Sequence, residues 1–137
     1  MTTSLRHKIA FQALFFLYVA MVLYLCFGHF DNIQSVPRTI LGIPSDKVVH
    51  FCMFFPFPIL AFLAFDRFTE SVSQTLWFAG ITLTVGLLLA LGTEWGQARL
   101  THYRMGDSRD FLADSLALLL STAIVIFWDI RKQKKKK

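Results

Sequence analysis

The chain has 137 residues, 55% hydrophobic and only 17% charged, with a mean hydropathy of +0.52 and a formal charge of +5. That length fits one domain, and so apolar a composition excludes an ordinary soluble one. Six of the 14 basic residues sit in the tail Arg131–Lys137, directly after an apolar run. The positive charge therefore reads as the flank of a membrane span and gives no case for a nucleic-acid partner.

The apolar residues come in runs rather than in alternation. Lys8 to Asp31, Lys47 to Asp66 and Glu70 to Glu94 each enclose a stretch without Asp, Glu, Lys or Arg. Asp110 to Asp129 is interrupted only by Asp114. Crossing the hydrocarbon takes about 20 apolar residues, with a lower limit near 17. The runs predict four transmembrane helices, at Ile9–Gly28, Val48–Phe65, Thr75–Gly92 and Phe111–Trp128. Lipid offers the backbone no hydrogen-bond partner, so helices are the expected form. The expected fold is an all-α integral membrane protein, a four-transmembrane-helix bundle. It forms one domain over residues 1–130, followed by a basic tail over 131–137.

With an even number of spans, both termini share a side. Arg6, Lys8, Arg67 and the six tail residues make nine Lys/Arg on that side, against Arg38, Lys47, Arg99, Arg104 and Arg109 on the other. The positive-inside rule then predicts cytoplasmic termini. The lysine-rich tail reads as a stop-transfer flank with a weak attraction to anionic lipid.

The first span follows Arg6, His7 and Lys8, as a secretory signal would. Its apolar stretch is too long for one, and no small-x-small cleavage site follows, so a retained helix is expected. Cys26 and Cys52 both fall within spans and read as buried thiols. The loop Asp31–Ser45, with Pro37, Gly42 and Pro44, reads as irregular chain. Ser45 is the expected N-cap of the second span, with Asp46 in its first turn. Asp46 and His50, four apart, would share a face there. Pro56 and Pro58 each remove a helix donor, so a kink is expected within this span. Gly80 and Gly86 in the third span read as sites of close helix packing.

The most informative stretch is Thr93–Leu116. Glu94 and Gln97 would lie on the last turn of the third span. Asp107, Asp110 and Asp114, three and then four apart, would share one face of a helix. Antiparallel neighbours bring the start of the second span, the end of the third and the start of the fourth to one membrane face. Asp46, Lys47, His50, Glu94, Gln97, Arg104, Asp107, Asp110 and Asp114 converge there. Asp66, Arg67, Glu70 and Asp129 flank the spans at the other side, where no comparable gathering is expected. Asp114 falls about 6 Å deeper than Asp110, at about 1.5 Å per residue. An acid at that depth is costly unless paired, hydrated or protonated, which favours a functional site.

The order D-K-x-x-H-F at Asp46–Phe51, E-x-x-Q at Glu94–Gln97 and R-x-x-D-x-x-D at Arg104–Asp110 resembles the VanZ-like family of small bacterial membrane proteins. Its founding members are associated with resistance to the glycopeptide teicoplanin. The resemblance runs from Ser45 to the end of the fourth span and implies Asp46, Lys47, His50, Glu94, Gln97, Arg104, Asp107 and Asp110 as the site. It also implies a bacterial cytoplasmic membrane. The chain departs from the family with Asp114 where Asn is usual, and with Ala117 and Tyr103 in place of glycines.

Three function classes remain at this stage. One is a protein that binds or shields a cell-envelope component at the outer face. Another is a membrane enzyme acting on a polar lipid or a lipid-linked or peptidoglycan precursor. There, Asp46, His50, Glu94 and Asp110 would be the candidate catalytic groups. Lys47, Gln97, Arg104, Asp107 and Asp114 would hold the ligand. The Asp cluster would offer oxygen ligands to a hard divalent cation such as Mg²⁺. Proton or ion transport through Asp114 is the third class, weakened by the expected lack of a second buried acid in the other half. A purely structural or interaction role is the remaining alternative.

Overall fold

The computed structural model describes residues 3–28, 37–65, 68–102 and 106–135. Asp31, Asp66, Arg67, Tyr103, Arg104, Lys136 and Lys137 lie outside the described residues. The elements are α1 (Thr3–Phe27), a hairpin of β1 (Thr39–Ile40) and β2 (Ile43–Pro44), α2 (Ser45–Phe54), α3 (Pro56–Ala64), α4 (Val72–Leu100) and α5 (Ser108–Lys135). α1, the α2–α3 pair, α4 and α5 are each long and apolar enough to cross a membrane. The protein is an all-α four-helix membrane bundle.

Two local departures from expectation have simple causes. The loop before α2 is a short antiparallel hairpin that pairs Thr39 with Pro44 and Ile40 with Ile43. Its turn residues Leu41 and Gly42 have φ of 52° and 80°, the double positive φ of a two-residue hairpin turn. Leu41 replaces the Asn or Asp that usually signals such a turn. Ser45 is the first helical residue and not the N-cap. Pro44 takes the cap position and makes no side-chain cap bond.

The predicted kink is a break at Phe55, between α2 and α3. Pro56 and Pro58 cannot donate to the carbonyls four residues back. The Tyr18 hydroxyl donates to the Met53 carbonyl at this break and ties α1 to it. Earlier in α1, the Gln12 amide donates to the Ala64 carbonyl at 3.3 Å.

The bundle is apolar outside and small or polar inside. Leu17, Trp77, Leu88, Leu116 and Phe127 are exposed on its outer faces. α4 buries Thr75, Ala79, Thr82, Gly86, Ala90, Thr93 and Gln97, a stripe of small and polar residues. Lipid tails are as apolar as leucine, so helices associate through close packing and hydrogen bonds instead of hydrophobic burial. Gly86 shows the closeness: a Cβ there would meet Leu118 at 2.7 Å and Phe57 at 3.2 Å. Gly80 does not share this role. It is exposed, and a Cβ on it would touch nothing within 4 Å.

α5 packs on α4, α2 and α3, and α1 packs on α3 and α4. Cys26 is buried and Cys52 exposed, and no disulfide joins them. Both later helices outrun their predicted spans. α4 continues through Glu94 and Gln97 to Leu100 and ends where Thr101 turns extended, its hydroxyl donating to the Gln97 carbonyl at 2.7 Å. α5 starts at Ser108, three residues ahead of the apolar run. Asp107 precedes it, with its carbonyl accepting from the Asp110 amide at 2.9 Å and its Oδ1 from the Arg109 amide at 2.9 Å. Asp107 thus caps the helix on which Asp110 and Asp114 lie.

Candidate functional site

The first turn of α2, the last turns of α4 and the first turns of α5 meet at one end of the bundle. Lys47 reaches from α2 to α5. Its Nζ lies 2.8 Å from Asp46 Oδ2 and 2.6 Å from Asp107 Oδ2, and it donates to Asp110 Oδ1. With three carboxylates around it and 13% of its side chain exposed, this ammonium is fully engaged.

One turn along α2, His50 is buried and surrounded by acids. Its Nδ1 lies 3.1 Å from Asp114 Oδ1 and 3.8 Å from Glu94 Oε1, and its Nε2 is 3.6 Å from Asp110 Oδ2. Asp110 links the two layers, with one oxygen on Lys47 and the other toward His50. Asp114 has no exposure at all, and its partner is the imidazole. The i,i+4 neighbour Asp46 instead stays exposed beside Lys47.

Glu94 completes the cluster from α4. Its Oε2 accepts from the Asp107 amide at 2.9 Å, while its buried Oε1 has no hydrogen-bond partner. Buried carboxylate oxygens are normally satisfied, so this one asks for an explanation. Gly106 allows the approach that makes the Asp107 contact. A Cβ at Gly106 would lie 2.8 Å from the Glu94 carbonyl oxygen and 3.0 Å from Ala98 Cβ. This residue was missed in the sequence, where its one available signal was its place immediately before Asp107.

Gln97 is buried but turned elsewhere: its amide donates to the Cys26 carbonyl at 2.7 Å and ties α4 to α1. Arg104 lies outside the described residues. The structure thus brings Asp46, Lys47, His50, Glu94, Asp107, Asp110 and Asp114 into one network and directs Gln97 away from it. Outside the spans, the Lys47 ammonium and then the Arg109 amide hold the Asp107 carboxyl below its ordinary 3.8.

Chemically the cluster is acidic. Among the described residues, five carboxylates share one ammonium and one imidazole in direct contact. An engaged Lys47 is poorly placed to clamp a bare phosphate. The His50–Asp114 pair has the form of an oriented general base. Two triads place one ligand atom per residue within 4.8 Å of one another: His50, Glu94 and Asp110, and Asp46, Asp107 and Asp110. The Lys47 ammonium contacts all three members of the second.

The opposite end corrects the expectation that no second buried acid exists. Asp129 is buried, 4% exposed. Its Oδ2 accepts from Thr75 Oγ1 at 2.6 Å and from Gln133 Nε2 at 3.0 Å. Gln133 Nε2 also donates to the Thr69 carbonyl at 2.8 Å and to Thr75 Oγ1 at 2.7 Å. Between the two ends, the Ser121 and Thr122 hydroxyls are buried without a partner. Comparison of the chain with protein-family models, curated proteins and solved structures finds no match.

Proposed function

We propose that the Lys47–His50–Glu94–Asp110 end of the bundle faces outward from a bacterial cytoplasmic membrane, where it binds a cell-envelope component. Both termini then lie in the cytoplasm, as the nine-to-five Lys/Arg distribution favours. One observation carries the proposal: a dense network of buried charge sits at one end of a lipid-embedded bundle with a carboxylate oxygen of Glu94 unsatisfied. Charged groups at that depth are expensive, and function is the usual reason they persist. The motif resemblance to VanZ-like proteins supplies the kind of ligand, a glycopeptide-related or lipid-linked cell-wall precursor. The excess of carboxylates favours contact through its hydroxyl, amide or amino groups.

The His50–Asp114 pair at 3.1 Å favours a second reading, in which the site acts on the bound component with His50 as general base. One experiment separates the two. Purified protein in nanodiscs is titrated with a lipid-linked disaccharide-pentapeptide. Saturable binding without product supports the binding protein, and a new product supports the enzyme. No saturable binding ends both. Reporter fusions at Ser73 and Thr101 check the orientation: a periplasmic reporter active at Ser73 reverses it.

A further inference from the structure

We infer that His50, Glu94 and Asp110 hold one divalent transition-metal ion of the zinc–manganese class between α2, α4 and α5. The inference concerns the same site as the proposed function, and its meaning for that function rests on that reading.

The donors are close. One ligand atom from each residue lies within 4.8 Å of the other two. Ligands about 2.1 Å from a shared ion stand roughly 3–4 Å apart. His50 Nε2 is 3.6 Å from Asp110 Oδ2, while Glu94 Oε1 now stands 3.8 Å from the other ring nitrogen, Nδ1, so closing the set on Nε2 takes a small shift of the Glu94 carboxylate. Glu94 Oε1 has no hydrogen bond to give up on binding an ion.

The surroundings are those of a ligand set. Asp114 accepts from or shares a proton with His50 Nδ1 at 3.1 Å, which leaves Nε2 as the nitrogen turned to Asp110. A carboxylate on the far nitrogen is the common support of a metal-bound histidine. The Asp107 amide holds Glu94 Oε2 and leaves Oε1 as the coordinating atom. A buried carboxylate oxygen without a donor is stabilised by a cation. The cluster is short of cations: among the described residues, five carboxylates share one ammonium, which contacts three of them, and one imidazole.

The donor types choose the ion. An imidazole with two carboxylates suits zinc, iron or manganese. Mg²⁺ prefers oxygen ligands and keeps several waters. This revises the Mg²⁺-type expectation drawn from the aspartates alone, because the Asp46–Asp107–Asp110 triad that would have supplied it is filled by Lys47. A bound dication would also give the acidic site a means of holding a precursor's phosphate.

The test uses full-length protein without a histidine tag, in detergent, stripped with chelator and dialysed against Zn²⁺, Mn²⁺ or Mg²⁺. One equivalent of Zn²⁺ per chain is expected, with Mg²⁺ at least tenfold weaker. His50→Gln and Glu94→Gln should each weaken Zn²⁺ binding tenfold or more. Mn²⁺ bound to the wild-type protein should show nitrogen coupling in pulsed EPR, a readout that needs no variant to fold. The inference is overturned by no saturable uptake, by Mg²⁺ binding as tightly as Zn²⁺, or by absent nitrogen coupling. Uptake that survives both substitutions also overturns it and places the ion elsewhere on the chain. Metal bound without any precursor binding would leave this inference standing and remove the proposed function. Precursor binding without metal would do the reverse.

Discussion

Each end of the bundle buries acid within its helices, and the two ends treat it differently. At the α4–α5 end opposite the charged cluster, Asp129 meets neutral donors among the described residues, the Thr75 hydroxyl and the Gln133 amide. Gln133 in turn binds the Thr69 carbonyl, and the Asp129 oxygens are not among the buried atoms left without partners. At the α2–α4–α5 end, acids face acids across Lys47 and His50, and Glu94 keeps one oxygen open. A closed network of neutral donors staples helices together. An open, charge-rich network leaves a carboxylate oxygen free to meet a ligand. Under the proposed function, the difference gives Asp129 a structural role and Asp110 a ligand-binding one, though both are buried aspartates on the same helix.

The largest effect expected is on ligand binding. Asp110→Asn neutralises the carboxylate that, among the described residues, bridges Lys47 and His50. It should abolish precursor binding in the nanodisc titration while the protein still inserts. Asp114→Asn should insert normally and keep a hydrogen bond to His50, with altered ligand or metal dependence. Full function in both variants would end the distinction between the two ends.

The next effect is on stability and falls at the other end. Asp129→Ala removes an acceptor shared by the Thr75 hydroxyl and the Gln133 amide; the Ser71 and Thr69 carbonyls remain to them, so the cost is that of lost hydrogen bonds, about 1 kcal/mol. A lower thermal midpoint with unchanged precursor binding is expected. Loss of binding instead would make Asp129 part of a path through the bundle. The partnerless hydroxyls of Ser121 and Thr122 would then become its first candidate stations.

Gly106→Ala sharpens the picture at the charged end. The added methyl would press on the Glu94 carbonyl, which is backbone and cannot rotate away. Overpacking of this kind costs about 1–3 kcal/mol. The Asp107–Glu94 bond should loosen, and weakened ligand or metal binding should accompany the lost stability. A variant that matches wild type in both would show that this contact is not needed.

The smallest effect is the titration of Asp107. Its folded value is held below 3.8 by Lys47 and then the Arg109 amide. A depressed carboxyl contributes stability above the unfolded value and loses it only as pH falls through the lower folded value. The Lys47–Asp107 link should therefore be constant from pH 7 to about 5 and fail below about 4. Side-chain carboxyl NMR of the metal-free protein should show this, and Lys47→Met should bring Asp107 back toward its ordinary value.

Charge-free runs of the right length are a local property, so four spans, their antiparallel order and the gathering of Lys47, His50, Glu94 and Asp110 at one face were legible in the chain. Lipid enforces helix wherever such a run occurs. The same reasoning read Asp129 as a flank of the fourth span. The stripe Asp110, Asp114, Leu118, Ser121, Val125, Asp129 continues at helical spacing on the buried face of α5, and that signal was available.

What the chain alone left open is which groups touch. His50 sharing a turn with Asp46 yet meeting Asp114, Gln97 binding Cys26, and Lys47 filling the aspartate triad all depend on the rotation and axial offset of each helix. Close contacts between helices, such as Gly86 against Leu118 and Phe57, set those two quantities. A few degrees of rotation exchanges one partner for another without changing hydropathy, so span positions followed from sequence, whereas the wiring of the site required the packed bundle.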